Sequence, residues 1–162
     1  MINVLGRLTV CATAMVVWFI TPLRADDAKK VPPYRVPKVI MDAIMGRFPG
    51  GQIKSVERET EHGKVVYDVE LRQHGRKYEM DIHEDGRIAE IEKEVPSADV
   101  PEAVMAALKA RYRHAKIVEV MEVSKVRGKD ETPVHYEATI QMPGKKPQEV
   151  IVSLDGKRFG KE

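Results

Sequence analysis

The sequence predicts an α+β fold of two tandem units, each an N-terminal helix packed on about four antiparallel β-strands. Three observations predict it. The chain resembles itself: Val36, Pro37, Met41, Ala43, Arg47, Ile53 and Val56 recur at an offset of 64 as Val100, Pro101, Met105, Ala107, Arg111, Ile117 and Val120. A repeated unit that cannot bury its apolar face alone implies packing between copies. Within each copy the spacing of apolar residues changes from helical to alternating. Gly-containing turn dipeptides then divide the alternating stretch into strands.

Residues 1–25 read as a secretory signal peptide. Arg7 supplies the positive start, Leu8 to Ile20 is the apolar run, and Pro22-Leu23-Arg24-Ala25 breaks the helix before a small-residue cleavage site. The run is shorter than the roughly 20 apolar residues of a spanning helix, so no stable membrane insertion is expected after cleavage. Residues 26–35, with two lysines and Pro32-Pro33, read as a disordered lead-in.

The first unit spans residues 36–94. Pro37 suits a first helical position, and Val39, Ile40, Ala43, Ile44 and Phe48 form one stripe at helical spacing, ended by Pro49-Gly50-Gly51. Val65, Tyr67, Val69 and Leu71 then alternate with Val66, Asp68, Glu70 and Arg72, while Tyr78, Met80 and Ile82 alternate with Lys77, Glu79, Asp81 and His83. Each reads as a strand with one buried face. His62-Gly63, His74-Gly75 and Asp85-Gly86 read as turns.

A linker at residues 95–99 leads to the second unit, residues 100–162. It repeats the grammar with Val134, Tyr136, Ala138, Ile140 and Met142, then Val150 and Val152, closed by Asp155-Gly156. An insertion within Lys125 to Thr132 reads as a loop that only this copy has, and the last strand is short.

At this point the residues resemble a known family, the PepSY-like group of β-lactamase-inhibitor-like secreted proteins, often built from tandem copies. The resemblance lies in Val-Pro before an amphipathic helix, Phe48-Pro49-Gly50, Ile53 to Glu59, the Gly63 to Val69 strand carrying Tyr67, and Asp85-Gly86-Arg87-Ile88 leading to Glu90-Ile91-Glu92. The second copy departs from it, with Arg113-His114 where the first has Pro-Gly. The resemblance implies a periplasmic or secreted module that binds, and in some members inhibits, other proteins. It brings no catalytic residues.

Composition narrows the function further. Cys11 and Trp18, the only residues of their kinds, lie in the signal, so the remainder has no thiol nucleophile or thiolate ligand. Arg7 and Arg24 lie there too, which leaves a nearly neutral chain and argues against nucleic acid as a partner. Ser55, Ser97, Ser124 and Ser153 have no His/Asp setting around them, and no Gly-rich phosphate loop occurs, so no enzyme and no cofactor is expected.

His62 and His74 read as turn residues, and His114 as a residue beyond a helix end. Glu79, Asp81 and His83 share a strand face, but alternate residues lie roughly 7 Å apart, so one ion reaches at most two of them. No metal site is assigned. The expected site is the sheet face left open by the first helix: Asp68, Glu70, Arg72, Lys77, Glu79, Asp81 and His83, with the 125–132 loop as the other candidate. The expected function is an exported, non-catalytic binding module for a cell-envelope protein, such as an inhibitor or regulator of an envelope enzyme like a peptidase. A periplasmic sensor or carrier of a small ligand or divalent cation is the alternative.

Overall fold

A computed structural model describes residues 29–32, 35–61 and 63–160. The signal-peptide reading falls outside them. No helix among the described residues is long and apolar enough to cross a membrane.

Eleven elements follow in chain order: β1 (Lys29–Lys30), α1 (Lys38–Arg47), β2 (Gln52–Glu61), β3 (Lys64–Gln73), β4 (Arg76–His83), β5 (Ile88–Glu94), α2 (Glu102–Arg111), β6 (Lys116–Arg127), β7 (Asp130–Gln141), β8 (Gln148–Ser153) and β9 (Phe159–Gly160). All the strands join one nine-stranded antiparallel sheet in sequence order, β1 to β9. This corrects the expected fold class. The described residues form not two helix-plus-strand units but one continuous sheet carrying two helices. The joint is the β5–β6 ladder, from Glu90 opposite Lys125 to Glu94 opposite Met121, with the Val95 N–H extending it to the Val120 carbonyl at 2.8 Å. An edge strand seeks a partner for its exposed N–H and C=O groups. The edge of β5 finds β6, and the linker with α2 becomes a helical excursion between neighbouring strands.

Both helices lie on the same face of this sheet. Pro37 and Pro101 cap the helix starts from just outside, one position before the expected one. Ile40 and Ile44 of α1 are fully buried over Tyr67, Val69, Leu71, Met80 and Ile82, and Val104 and Leu108 of α2 over Tyr136, Ala138, Ile140 and Val152. Val39, expected in the stripe, is 42% exposed. The helix ends are matched as well. Phe48 stacks on Tyr78 with ring centroids 4.7 Å apart, and Tyr112 meets Phe159 at 6.1 Å.

Two further expectations change. Lys29 and Lys30, placed in the disordered lead-in, pair with Arg58 and Glu57 of β2. The 125–132 insertion is not a loop but the far end of the β6–β7 hairpin, with ladder pairs from Lys125–Thr132 to Arg127–Asp130. Its Val126 is 9% exposed and joins the core under α1, and Arg47 of α1 holds the Glu131 carboxylate and the Lys129 carbonyl. The insertion therefore ties the second hairpin to the first helix.

Candidate protein-binding face

The face opposite the helices is built by the alternating partners of the core residues. Register places all seven expected residues on it. Asp68 lies opposite Asp81, Glu70 opposite Glu79, Arg72 opposite Lys77, and His83 opposite Val66. The continuous sheet then adds β5 of the same unit and, beyond the β5–β6 joint, residues the sequence had assigned to the second unit. Asp81 is followed across β5 and β6 by Glu90 and Lys125, and Glu79 by Glu92, Val123 and His135. Met121 lies opposite Glu137 and Glu119 opposite Thr139, itself opposite Glu149.

This face was expected to be freely solvated. Of the seven residues only Arg72 is exposed, and the other six are half-buried. Val66, Met121 and Val123 on the same face are 4%, 5% and 0% exposed, although they belong to neither helix-covered core. Curvature accounts for this. Glu79 of β4 and Glu149 of β8 line one depression of about 70 Å³, whereas in a flat sheet strands four apart are separated by about 19 Å. The sheet curls with this face inward, and neighbouring strands shield one another.

The concavity sets the electrostatics. Burial, followed by repulsion from Glu79, Asp81, Glu59 and Glu57, pushes the Asp68 carboxyl up to about 7. Burial, followed by repulsion from Glu137, Glu79, Asp81 and Asp68, pushes Glu92 up to about 8. Lys77 sits among these acids, with Nζ 2.6 Å from Glu79 and 3.0 Å from Glu119. Burial alone would lower its pKa, but its bonds to those two carboxylates outweigh that and raise it above the usual lysine range. Lys125 pairs with Glu90, and His135 Nε2 lies 2.9 Å from Glu137.

A stability prediction follows. A carboxyl with a raised folded-state pKa keeps its proton in the folded chain after the unfolded chain has lost it, so stability falls as pH rises through that window. For Asp68 and Glu92 the window runs from their ordinary values near 4 to about 7 and 8. The melting temperature is expected to be higher at pH 5.5 than at pH 9. Glu92→Gln should raise stability at pH 9 by about 1–2 kcal/mol after allowance for solvent screening, and should flatten the profile. Thermal melts of both proteins across this range check it, and an unchanged slope in the variant would count against the assignment.

The histidines are dispersed. His74 is exposed in the β3–β4 turn with φ of 51°, His114 is exposed beyond α2, and His62 lies outside the described residues. Among the described residues no three His, Cys, Asp or Glu side chains are grouped so as to hold a metal ion. Sequence reasoning missed Glu92, Met121 and Val123 as parts of the face. The alternation of Glu90, Glu92 and Glu94 with Ala89, Ile91 and Lys93 marks a strand, but nothing local says which strand lies beside it.

Comparison with known proteins identifies the fold. The family described as "Putative beta-lactamase-inhibitor-like, PepSY-like" matches residues 17–90 and again residues 65–142. Among solved structures, a BLIP-like protein from Bacteroides fragilis is similar at 20% identity and a TM-score of 0.51, covering 78% of this chain and 82% of its own. One from Bacteroides eggerthii, described among "putative periplasmic proteins", is similar at 14% identity and a TM-score of 0.58, covering 76% of this chain and 87% of its own. No curated protein matches the chain.

Proposed function

This chain belongs to the PepSY-like family, and on that footing we propose that it is a non-catalytic binding module of the periplasm that receives a protein partner on the concave face of its sheet. The observation that carries this reading is the uncovered face itself. Six of the seven strand-borne residues there are half-buried without any covering layer, and the apolar Met121 and Val123 lie between acidic rows. An inward-curled face with an apolar centre and a charged surround resembles the anatomy of protein interfaces. The periplasmic description of the Bacteroides eggerthii relative and the inhibitor-like description of the family support the compartment and the mode. Because acids outnumber bases on the face, the partner presents basic groups. Inhibition of an envelope enzyme such as a peptidase is one form such binding takes.

The test starts with capture of a partner on tagged protein in envelope extract of the native cell, followed by association kinetics. Glu70→Lys with Asp81→Lys should slow association about tenfold at low salt and weaken its salt dependence, with little change in melting temperature. Unchanged association with the fold intact would remove the concave face as the site.

A further inference from the structure

A cavity of about 560 Å³ lies away from the concave face, at the β1 end of the sheet. Its floor is the first half of β2 (Ile53 to Val56), one wall is Met41 of α1, and the other is the strap Lys30-Val31-Pro32 with Val36. The strap is held in place by the Val31 N–H, which donates to the Val56 carbonyl at 2.7 Å, and by the two β1–β2 pairs. Among the described residues no strand continues along the outer edge of β2 beyond those pairs, and the irregularity between Ile53 and Ser55 bends it away from a straight edge. A bulge of this kind discourages addition of another strand, which leaves a pocket in place of a continued sheet.

The lining has a distinct chemistry. Val31, Pro32, Val36, Met41, Ile53 and Val56 make it apolar, and methionine adapts its shape to what it meets. The charged groups among the lining residues are Lys30 and Lys54, both exposed. Neither has an ion-pair partner among the described residues. Four other cavities each have Asp or Glu in their lining, and this one has none among the described residues. In a chain with 25 acidic residues, a cavity whose charged lining among the described residues is cationic alone is selective in sign. Its volume falls in the range of small-molecule sites, about 300–1,000 Å³.

We propose that this cavity binds a soluble apolar anion, a monocarboxylate with a medium-length hydrocarbon body, whose chain lies against Met41, Ile53 and Val56 and whose carboxylate meets the lysines. The site is independent of the concave face, so either reading survives failure of the other.

The probes are decanoate, decanol and decyltrimethylammonium, each titrated calorimetrically into the purified protein below its aggregation concentration. Decanoate should bind at one site, and the alcohol and the cation at least about tenfold more weakly. Lys54→Glu with Lys30→Glu, both on exposed positions, should weaken decanoate about tenfold or more while leaving the melting temperature unchanged. Met41→Trp, which fills the cavity, should abolish binding, and should it fold poorly the lysine variant still decides. Absence of decanoate binding, or equal binding of the alcohol, would overturn the proposal. So would a lysine variant that binds decanoate as the parent does.

Discussion

Residues 36–94 expressed alone are expected to lose the cooperative melting transition of the whole chain. The piece contains α1 and the four strands β2 to β5, a whole unit of the repeat, but a unit that cannot bury its apolar face alone needs its neighbour. Contacts across the cut are lost, among them the Lys77–Glu119 ion pair. The edge of β5 loses its ladder with β6 from Glu90 to Glu94. The core under α1 loses Val126, and Arg47 loses Glu131 and the Lys129 carbonyl. A piece of roughly 60 residues is already marginal, because it buries a small share of its chain's surface. A few kcal/mol is a large part of the stability of such a domain. The cut also exposes the concave side, where the fully buried Val123 shields its neighbours on β5. Circular-dichroism melts of residues 36–94, residues 100–162 and the whole chain at equal concentration check this. A first half that melts like the whole would show that the β5–β6 joint contributes little.

The same joint marks the limit of what was legible in the sequence. Helix starts at Val36-Pro37 and Val100-Pro101, the alternation in β3 and β4, and the His74-Gly75 turn are local signals, and the structure has each within a residue. Pairing between β5 and β6 is not local. The linker, α2 and the start of β6 separate Glu94 from its register partner Met121, and no dipeptide records which edges will meet. Two units of equal grammar therefore read as two tandem helix-plus-strand units in place of one continuous sheet. The candidate face shows the same gap: all seven expected residues share it, but Glu119 and Glu137 reach it only through the β5–β6 joint. Curvature was missed for a related reason. Val66 alternates with core residues and so was set among the polar positions, where it is 4% exposed because the sheet closes around it. The 125–132 insertion carries a single apolar residue that reaches the core, Val126, and one residue makes no period.

Gly156→Ala is expected to cost about 2–5 kcal/mol, the sum of a left-handed backbone penalty and a steric one. The Asp155-Gly156 turn folds down onto the first turn of α2, and Gly156 has φ of +72°. A Cβ there would lie 2.6 Å from the Ala103 carbonyl oxygen and 2.8 Å from its carbon. Both are backbone atoms of a helix whose next residue, Val104, is fully buried, so neither can yield without disturbing the core. The equivalent turn of the first half makes the same approach less rigidly. A Cβ on Gly86 would meet Val39 Cγ2 at 2.6 Å and the Val39 carbonyl oxygen at 3.1 Å, and the half-exposed Val39 side chain has room to turn. Gly144 separates the two contributions, since its φ is +70° and nothing lies within 4 Å of its Cβ position. Gly144→Ala should therefore cost only the backbone part, about 1–2 kcal/mol. Chemical unfolding of the three variants should rank the losses Gly156, Gly86, Gly144. Equal losses at Gly156 and Gly144 would mean that the turn does not rest on α2, and that the close approach of the Asp-Gly turns to their helices plays no part in holding the helices on the sheet.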